Sequence, residues 1–335
     1  MTTRTSLRQL SLCALFGLTA FLARPGMLAA SDHGDTPLLI NANRRDALIT
    51  DLHVFIRDGR LVLAGCFDPA IPPSATGYTF ASDLIVKFNI NKSVPVSFDD
   101  AEDLATYGGT ILDPARIKAD IVFTITFANP AAPLLKTSGV PLNRLGEIRF
   151  FTGLRDDPFI RGPRQGRNSA AIVIDLPLDM VVLNPSQATL LVWLTSRVPD
   201  LPGPFQDAAA RSLRSMFPEN DAMNTLEPWQ HWTVLGVQPD VVILDTTRPV
   251  AYPNGRELAD DVVDLVGDPR VLMNDAPFPA ANDLPFLEEF PYLAPPHAPP
   301  PPADPAPGGI GGPGAPRLIP MDVTGEIQQH DVPDR

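Results

Sequence analysis

The side chains of this sequence best suited to binding or reaction are carboxylates and histidines at scattered positions. They are His33 and Asp35 near the start, Asp51 in an alternating apolar run, Asp156 and Asp157 ahead of Pro158, Asp260 and Asp261 with Asp264 close behind, and His297. Carboxylate oxygens suit hard cations such as calcium, and an imidazole nitrogen extends the choice to transition metals. Asp260 and Asp264 are four residues apart and share a face if that segment is helical. The same carboxylates have an ordinary structural use, capping turns and helix starts or pairing with Arg155 and Arg256. A catalytic carboxylate pair is a third use such residues allow.

Other familiar chemistry is missing. The sequence has no nucleophile elbow, no H-E-x-x-H, no C-x-x-C and no phosphate-cradling glycine loop. The basic polar stretch Arg164-Gln165-Gly166-Arg167-Asn168-Ser169 reads as a solvated connection. Trp229 and Trp232 flank His231; a pair like this can form an aromatic platform, but such bulky residues more often bury as core. Cys66 lies in an apolar run and reads as a small buried hydrophobe.

Short strands must position these residues. Leu48, Thr50, Leu52, Val54 and Ile56 alternate with Ile49, Asp51, His53, Phe55 and Arg57, and Asp58-Gly59 then leads into the apolar run 61–67. An Asp-Gly dipeptide between two apolar runs is a hairpin signal. Further strand-length runs are 82–91, 120–128, 147–152, 170–176, 189–195 and 241–245, each bounded by turn residues. Two segments, 207–217 and 256–266, have helical spacing instead. Proline is abundant, 39 of 335 residues, which disfavours long helices. The fold class predicted is all-β or mainly β: antiparallel sheets packed as a sandwich-like single domain over 31–297, with a few short helices and long loops. Residues 298–335 form a Pro/Gly-rich tail that has too little apolar surface to build a core.

The N-terminus reads as an export signal. Arg4 and Arg8 precede an apolar run, Leu10 to Leu22, and Leu28-Ala29-Ala30 offers a small residue for cleavage. The run is too short to cross a bilayer, and no later run of 18 apolar residues exists, so no membrane span is expected after cleavage. Cys13 is preceded by Leu12 and followed by most of the apolar run, which argues against a lipid anchor. Loss of residues 1–30 removes Arg4, Arg8 and Arg24 and takes the formal net charge from −13 to −16. A chain this acidic, without basic clusters, does not track phosphate backbones, so nucleic acid is excluded as a partner. Cleavage after Ala30 would leave Ser31-Asp32-His33 at the start. A free amine, two backbone amides and the His33 imidazole place four nitrogens in a plane, a set that suits copper.

Several stretches resemble a bacterial exported family known as domain of unknown function 4331. Ser31-Asp32-His33-Gly34-Asp35-Thr36-Pro37 is similar to the family's S-S-H-x-(D/E)-A-P opening. Thr50–Phe55, Arg155-Asp156-Asp157-Pro158-Phe159, and Pro253-Asn254-Gly255-Arg256 with Asp260-Asp261-Val262-Val263-Asp264 follow in the family's order. Asn282-Asp283-Leu284-Pro285-Phe286 then runs on to Phe290-Pro291-Tyr292-Leu293-Ala294-Pro295-Pro296-His297. The sequence departs from the pattern at Thr36, where the family has Ala, and at His53, where it has Tyr. The resemblance implies export and a shared fold and supplies no activity. The candidate ligands named at the outset lie in these motifs, and His33 and His297 are expected to meet near Asp156 and Asp157. The reading is of an exported binding or interaction module of unknown ligand that does not catalyse and holds a structural divalent metal, calcium in the fold or copper at the N-terminus. Its rivals are a metal-dependent hydrolase of the periplasm and a purely structural envelope protein.

Overall fold

In the structure, a computed structural model, residues 36–158, 166–211, 218–262, 265 and 281–299 are described. Asp58 and Gly59 both take positive φ, 51° and 72°, as a two-residue hairpin of the right twist requires. They join β1 (Ile49–Arg57) to β2 (Arg60–Phe67). The remaining strands are β3 (Ile85–Asn91), β4 (Val96–Ser97), β5 (Thr110–Ile111), β6 (Ile121–Thr126), β7 (Leu134–Ser138), β8 (Arg149–Asp156), β9 (Asn168–Pro177), β10 (Thr189–Arg197), β11 (Asp207–Ala209) and β12 (Val242–Asp245). Helices are short: α1 (Pro37–Asn41), α2 (Ala101–Tyr107) and α3 (Pro228–Thr233), besides single 3-10 turns. The expected mainly β fold is what the chain forms.

Two antiparallel sheets pack face to face. The first has the order β1-β2-β9-β8. The second runs β11-β10-β3-β6-β7, and β12 pairs with the first half of β10 on the edge that β11 occupies further along. Leu61, Leu63, Ile172 and Ile174 of the first sheet join Phe88, Ile90, Phe123 and Leu194 of the second in one buried cluster. The sheets approach closely at Gly65, where a Cβ would lie 2.7 Å from Leu194 Cδ2 and 3.1 Å from Phe88 Cζ.

The first sheet is buried on its other face as well. Phe55, Val62, Ala64, Cys66, Ala171 and Val173 form a second cluster, covered by Leu258, Tyr292 and Leu293. The cover is a strap, residues 281–299, without helix or strand of its own. One buried carboxylate fastens it: Asp175 of β9 accepts from Arg60, from Arg149 Nη2 at 2.5 Å and from the Tyr292 hydroxyl at 2.6 Å.

The helical expectation for 207–217 fails where it can be compared, and that for 256–266 holds only at Val262 and Leu265. Asp207–Ala209 is a strand, paired with Leu194–Ser196, and residues 212–217 lie outside the described residues. The Asp207 carboxylate, at the start of the expected helix, is buried and accepts from Thr36 Oγ1 at 2.6 Å and from the Ile49 amide at 2.8 Å. Arg256 is extended and bonded through its backbone to Val54 in both directions; in this segment only Val262 and Leu265 are helical among the described residues. The stretch read as an export signal, the N-terminal motif with His33 and Asp35, and the residues beyond 299 also lie outside the described residues. No helix among the described residues is long and apolar enough to cross a membrane.

Candidate metal centre

Strands β8 and β9 stay paired to their ends, so that Arg155 faces Ser169 and Asp156 faces Asn168. The strap returns to this same corner. The Asp156 amide donates to Ala294 O at 3.2 Å, the His297 amide to Asn168 Oδ1 at 2.7 Å, and Asn168 Nδ2 to His297 O at 3.4 Å. At its other end the strap presents Asn282 and Asp283. Backbone and amide bonds thus deliver three ligating side chains to one place: Asp156 from the sheet, Asp283 and His297 from the strap.

His297 Nε2 lies 2.9 Å from Asp156 Oδ1 and 3.2 Å from Asp283 Oδ1. The other carboxylate oxygens are engaged elsewhere. Asn282 Nδ2 donates to Asp156 Oδ2 at 2.6 Å, and the Gly166 amide donates to Asp283 Oδ2 at 2.6 Å. Asn282 is itself fixed by a bond to Leu284 O at 2.8 Å. Each carboxylate therefore turns one oxygen toward the imidazole and anchors the other, the way outer partners orient metal ligands. One atom from each residue lies within 4.8 Å of the others, and among the described residues this is the one such group of three.

Burial weighs against a bare charge on Asp156. Asp156 is only 1% exposed, and its burial pushes the carboxyl up to about 7. The Asn282 hydrogen bond opposes that rise, the Asp283 charge adds to it and His297 offsets part of it. Two carboxylates face one imidazole here, so a divalent ion would neutralise what the protein leaves unbalanced.

The other predicted ligands are elsewhere. Asp51 is buried in an ion pair with Arg256 at 3.0 Å, so its charge is already balanced by a guanidinium. Asp260 closes a turn by accepting from the Glu257 amide at 2.7 Å. Asp157 is buried beside Asp156, its amide bonded to Arg167 O at 3.1 Å, and Asp261 is half-buried; neither belongs to the group of three. Of the eight expected ligands, Asp156 and His297 come together, joined by Asp283, while Asp51, Asp157, Asp260 and Asp261 lie outside that group. His33, Asp35 and Asp264 lie outside the described residues.

Asp283 is not among the ligands expected from the sequence, which also marks the stretch 164–169 as a solvated connection. Gly166 and Asn168 of that stretch brace the site, while Asn168 and Ser169 are buried in β9. The signal available was the short interval from Asn282-Asp283 to His297 within one motif-like run. The tryptophan platform does not form: Trp229 packs against the core and Trp232 is exposed. His231, between them, is buried, accepting the Asp240 amide at Nδ1 and bonding Met223 O and Leu226 O through Nε2. Cys66 is buried, as expected, and its thiol is pushed well up by burial. Compared with family models, curated proteins and solved structures, the chain matches none.

Proposed function

We propose that this protein is an exported binding module, of the family its motifs resemble, that holds one divalent cation between Asp156, Asp283 and His297. The convergence of Asp156 Oδ1, Asp283 Oδ1 and His297 Nε2, with both remaining carboxylate oxygens tied back by Asn282 and Gly166, carries this reading. The ion's work is structural in the first place, because two ligands are on the strap and one is on the sheet that the strap covers. Export rests on the basic, apolar and small-residue order of residues 1–30. Equilibrium dialysis of the full-length protein against a mixture of divalent cations, followed by elemental analysis, tests the reading. About one ion per chain should be retained, and Asp156→Asn with His297→Ala should lose it while keeping the far-ultraviolet dichroism of the parent. Retention of no ion, or equal retention by the variant, overturns it.

One observation favours a second reading. Three protein ligands leave coordination positions open, as catalytic zinc sites do. A metal-dependent hydrolase would turn over an activated ester or phosphate ester when metal-loaded and lose that turnover in Asp156→Asn.

A further inference from the structure

We infer that the ion is of the first-row transition class, with zinc as its representative, and not calcium. The inference rests on the cation reading above and asks which cation the site selects.

The first argument is the supply of oxygen. Calcium takes six to eight oxygen ligands, usually with bidentate carboxylates among them. Here each carboxylate already commits one oxygen to a hydrogen bond. Bidentate binding would require Asp156 Oδ2 to share its electrons with the Asn282 bond and Asp283 Oδ2 with the Gly166 amide, which weakens both as calcium ligands. Two monodentate oxygens leave calcium with most of its shell in water. Magnesium, which also prefers oxygen and holds its waters tightly, gains nothing from the imidazole.

The second argument is the nitrogen. His297 Nε2 lies within 3.2 Å of both of these carboxylate oxygens, so any ion that joins the three must accept imidazole as a ligand. Imidazole suits zinc, copper, iron and nickel, and mixed imidazole and carboxylate sets are ordinary zinc ligands. Spacing agrees with this choice. Ligands ~2.0–2.2 Å from an ion stand roughly 3.0–3.5 Å apart in octahedral or tetrahedral arrangement. The nitrogen-to-oxygen separations of 2.9 and 3.2 Å need little opening to admit such an ion.

The third argument is how the ligands are held. His297 is positioned through its own backbone by Asn168, and Asp156 is fixed on strand β8, so neither has to be recruited from a free loop. The three donors occupy one side of the ion, and the remaining positions go to water or to an oxygen or nitrogen ligand from a partner.

The test uses full-length protein stripped by a chelator. Zinc chloride and calcium chloride are titrated separately by calorimetry, and cobalt(II) is added as a spectroscopic stand-in for zinc. Zinc should bind once per chain with a dissociation constant at least about 100-fold below that of calcium. Cobalt should give visible d–d bands that zinc displaces and calcium does not. Asp283→Asn keeps an acceptor for the Gly166 amide and should preserve the fold while abolishing the cobalt bands. His33→Ala should leave the bands unchanged, which separates this site from any N-terminal one. Calcium binding as tight as zinc, abolished by Asp283→Asn, would overturn the inference and leave the cation reading intact. Binding of neither ion, or binding indifferent to Asp283→Asn and His297→Ala, would overturn both.

Discussion

Replacing Tyr292 by Phe removes one oxygen from the strap and little else. The ring is buried and keeps its edge-on contacts, with centroids 6.0 Å from Phe55 and 6.1 Å from Phe290. What disappears is a hydroxyl that donates to Asp175 at 2.6 Å and accepts from Arg149 Nη2 at 2.8 Å. Burial and the neighbouring Asp175 push this phenol up to about 12, so it is protonated and donating at neutral pH. A hydrogen bond to a charged group contributes about 1.5–3 kcal/mol. Asp175 is fully buried but keeps donors from Arg60 and Arg149, which places the cost near the lower figure. In a domain of this size ~1 kcal/mol moves the melting temperature by about 2–4 °C, so a fall of about 3–6 °C is expected. Tyr292→Ala should cost more, because it also uncovers the apolar face of the first sheet, with truncation of a buried aromatic worth about 3–5 kcal/mol. Scanning fluorimetry of the two variants beside the parent measures both. No change in Tyr292→Phe, or equal losses in the two variants, would refute the idea that Asp175 fastens the strap.

Gly65→Ala should destabilise by about 1–3 kcal/mol in urea melts, because its Cβ would meet Leu194 Cδ2 at 2.7 Å. The loss in Gly65→Ala/Leu194→Ala should be smaller than the sum of the single losses; strict additivity would show that the two sheets do not meet there. Burial holds both His53 and His231 below the usual histidine range, so both favour the neutral ring in the folded state. The stability they support is present above pH ~6.5 and is lost as the pH falls below it, by up to about 1.4 kcal/mol per pH unit for each ring. Asp156, whose carboxyl is raised to about 7, acts in the opposite sense over the same range, so the test is the difference between variants. Urea midpoints at pH 7.0, 6.0 and 5.5 should fall less, or rise more, in His53→Gln than in the parent, and identical profiles would contradict this.

The hairpin and the long strands were legible because their residues carry both period and punctuation. Asp58-Gly59 supplies the two positive φ values the turn needs, and β3, β6, β9 and β10 fall within or close to the apolar runs that suggested them. Strand β7 escaped notice because Leu134–Ser138 is an edge strand with alternate residues exposed and little to bury. The alternation in β1 implied one wet face, yet both faces are dry. Its cover is an aperiodic strap, whose Pro-rich sequence gives no pattern to read. Asp207 shows the same limit: nothing in the residue type tells a helix-starting acid from a carboxylate buried against Thr36 and the Ile49 amide. At the site, Asp156 and His297 were among the residues proposed, but so were Asp51, which an arginine neutralises, and Asp260, which closes a turn. Side-chain type marks what can bind a metal, and only the strap's path decides which ligands meet. The Gly166 amide that fixes Asp283 is backbone and leaves no mark in the sequence.

The account stands most directly on where a metal sits. Crystals of the full-length protein grown with zinc, with diffraction data collected on both sides of the zinc absorption edge, locate the ion without reference to any assumed ligand. An anomalous peak is expected about 2.0–2.2 Å from Asp156 Oδ1, Asp283 Oδ1 and His297 Nε2. An ordered strap with those three side chains in place and no peak between them would contradict it.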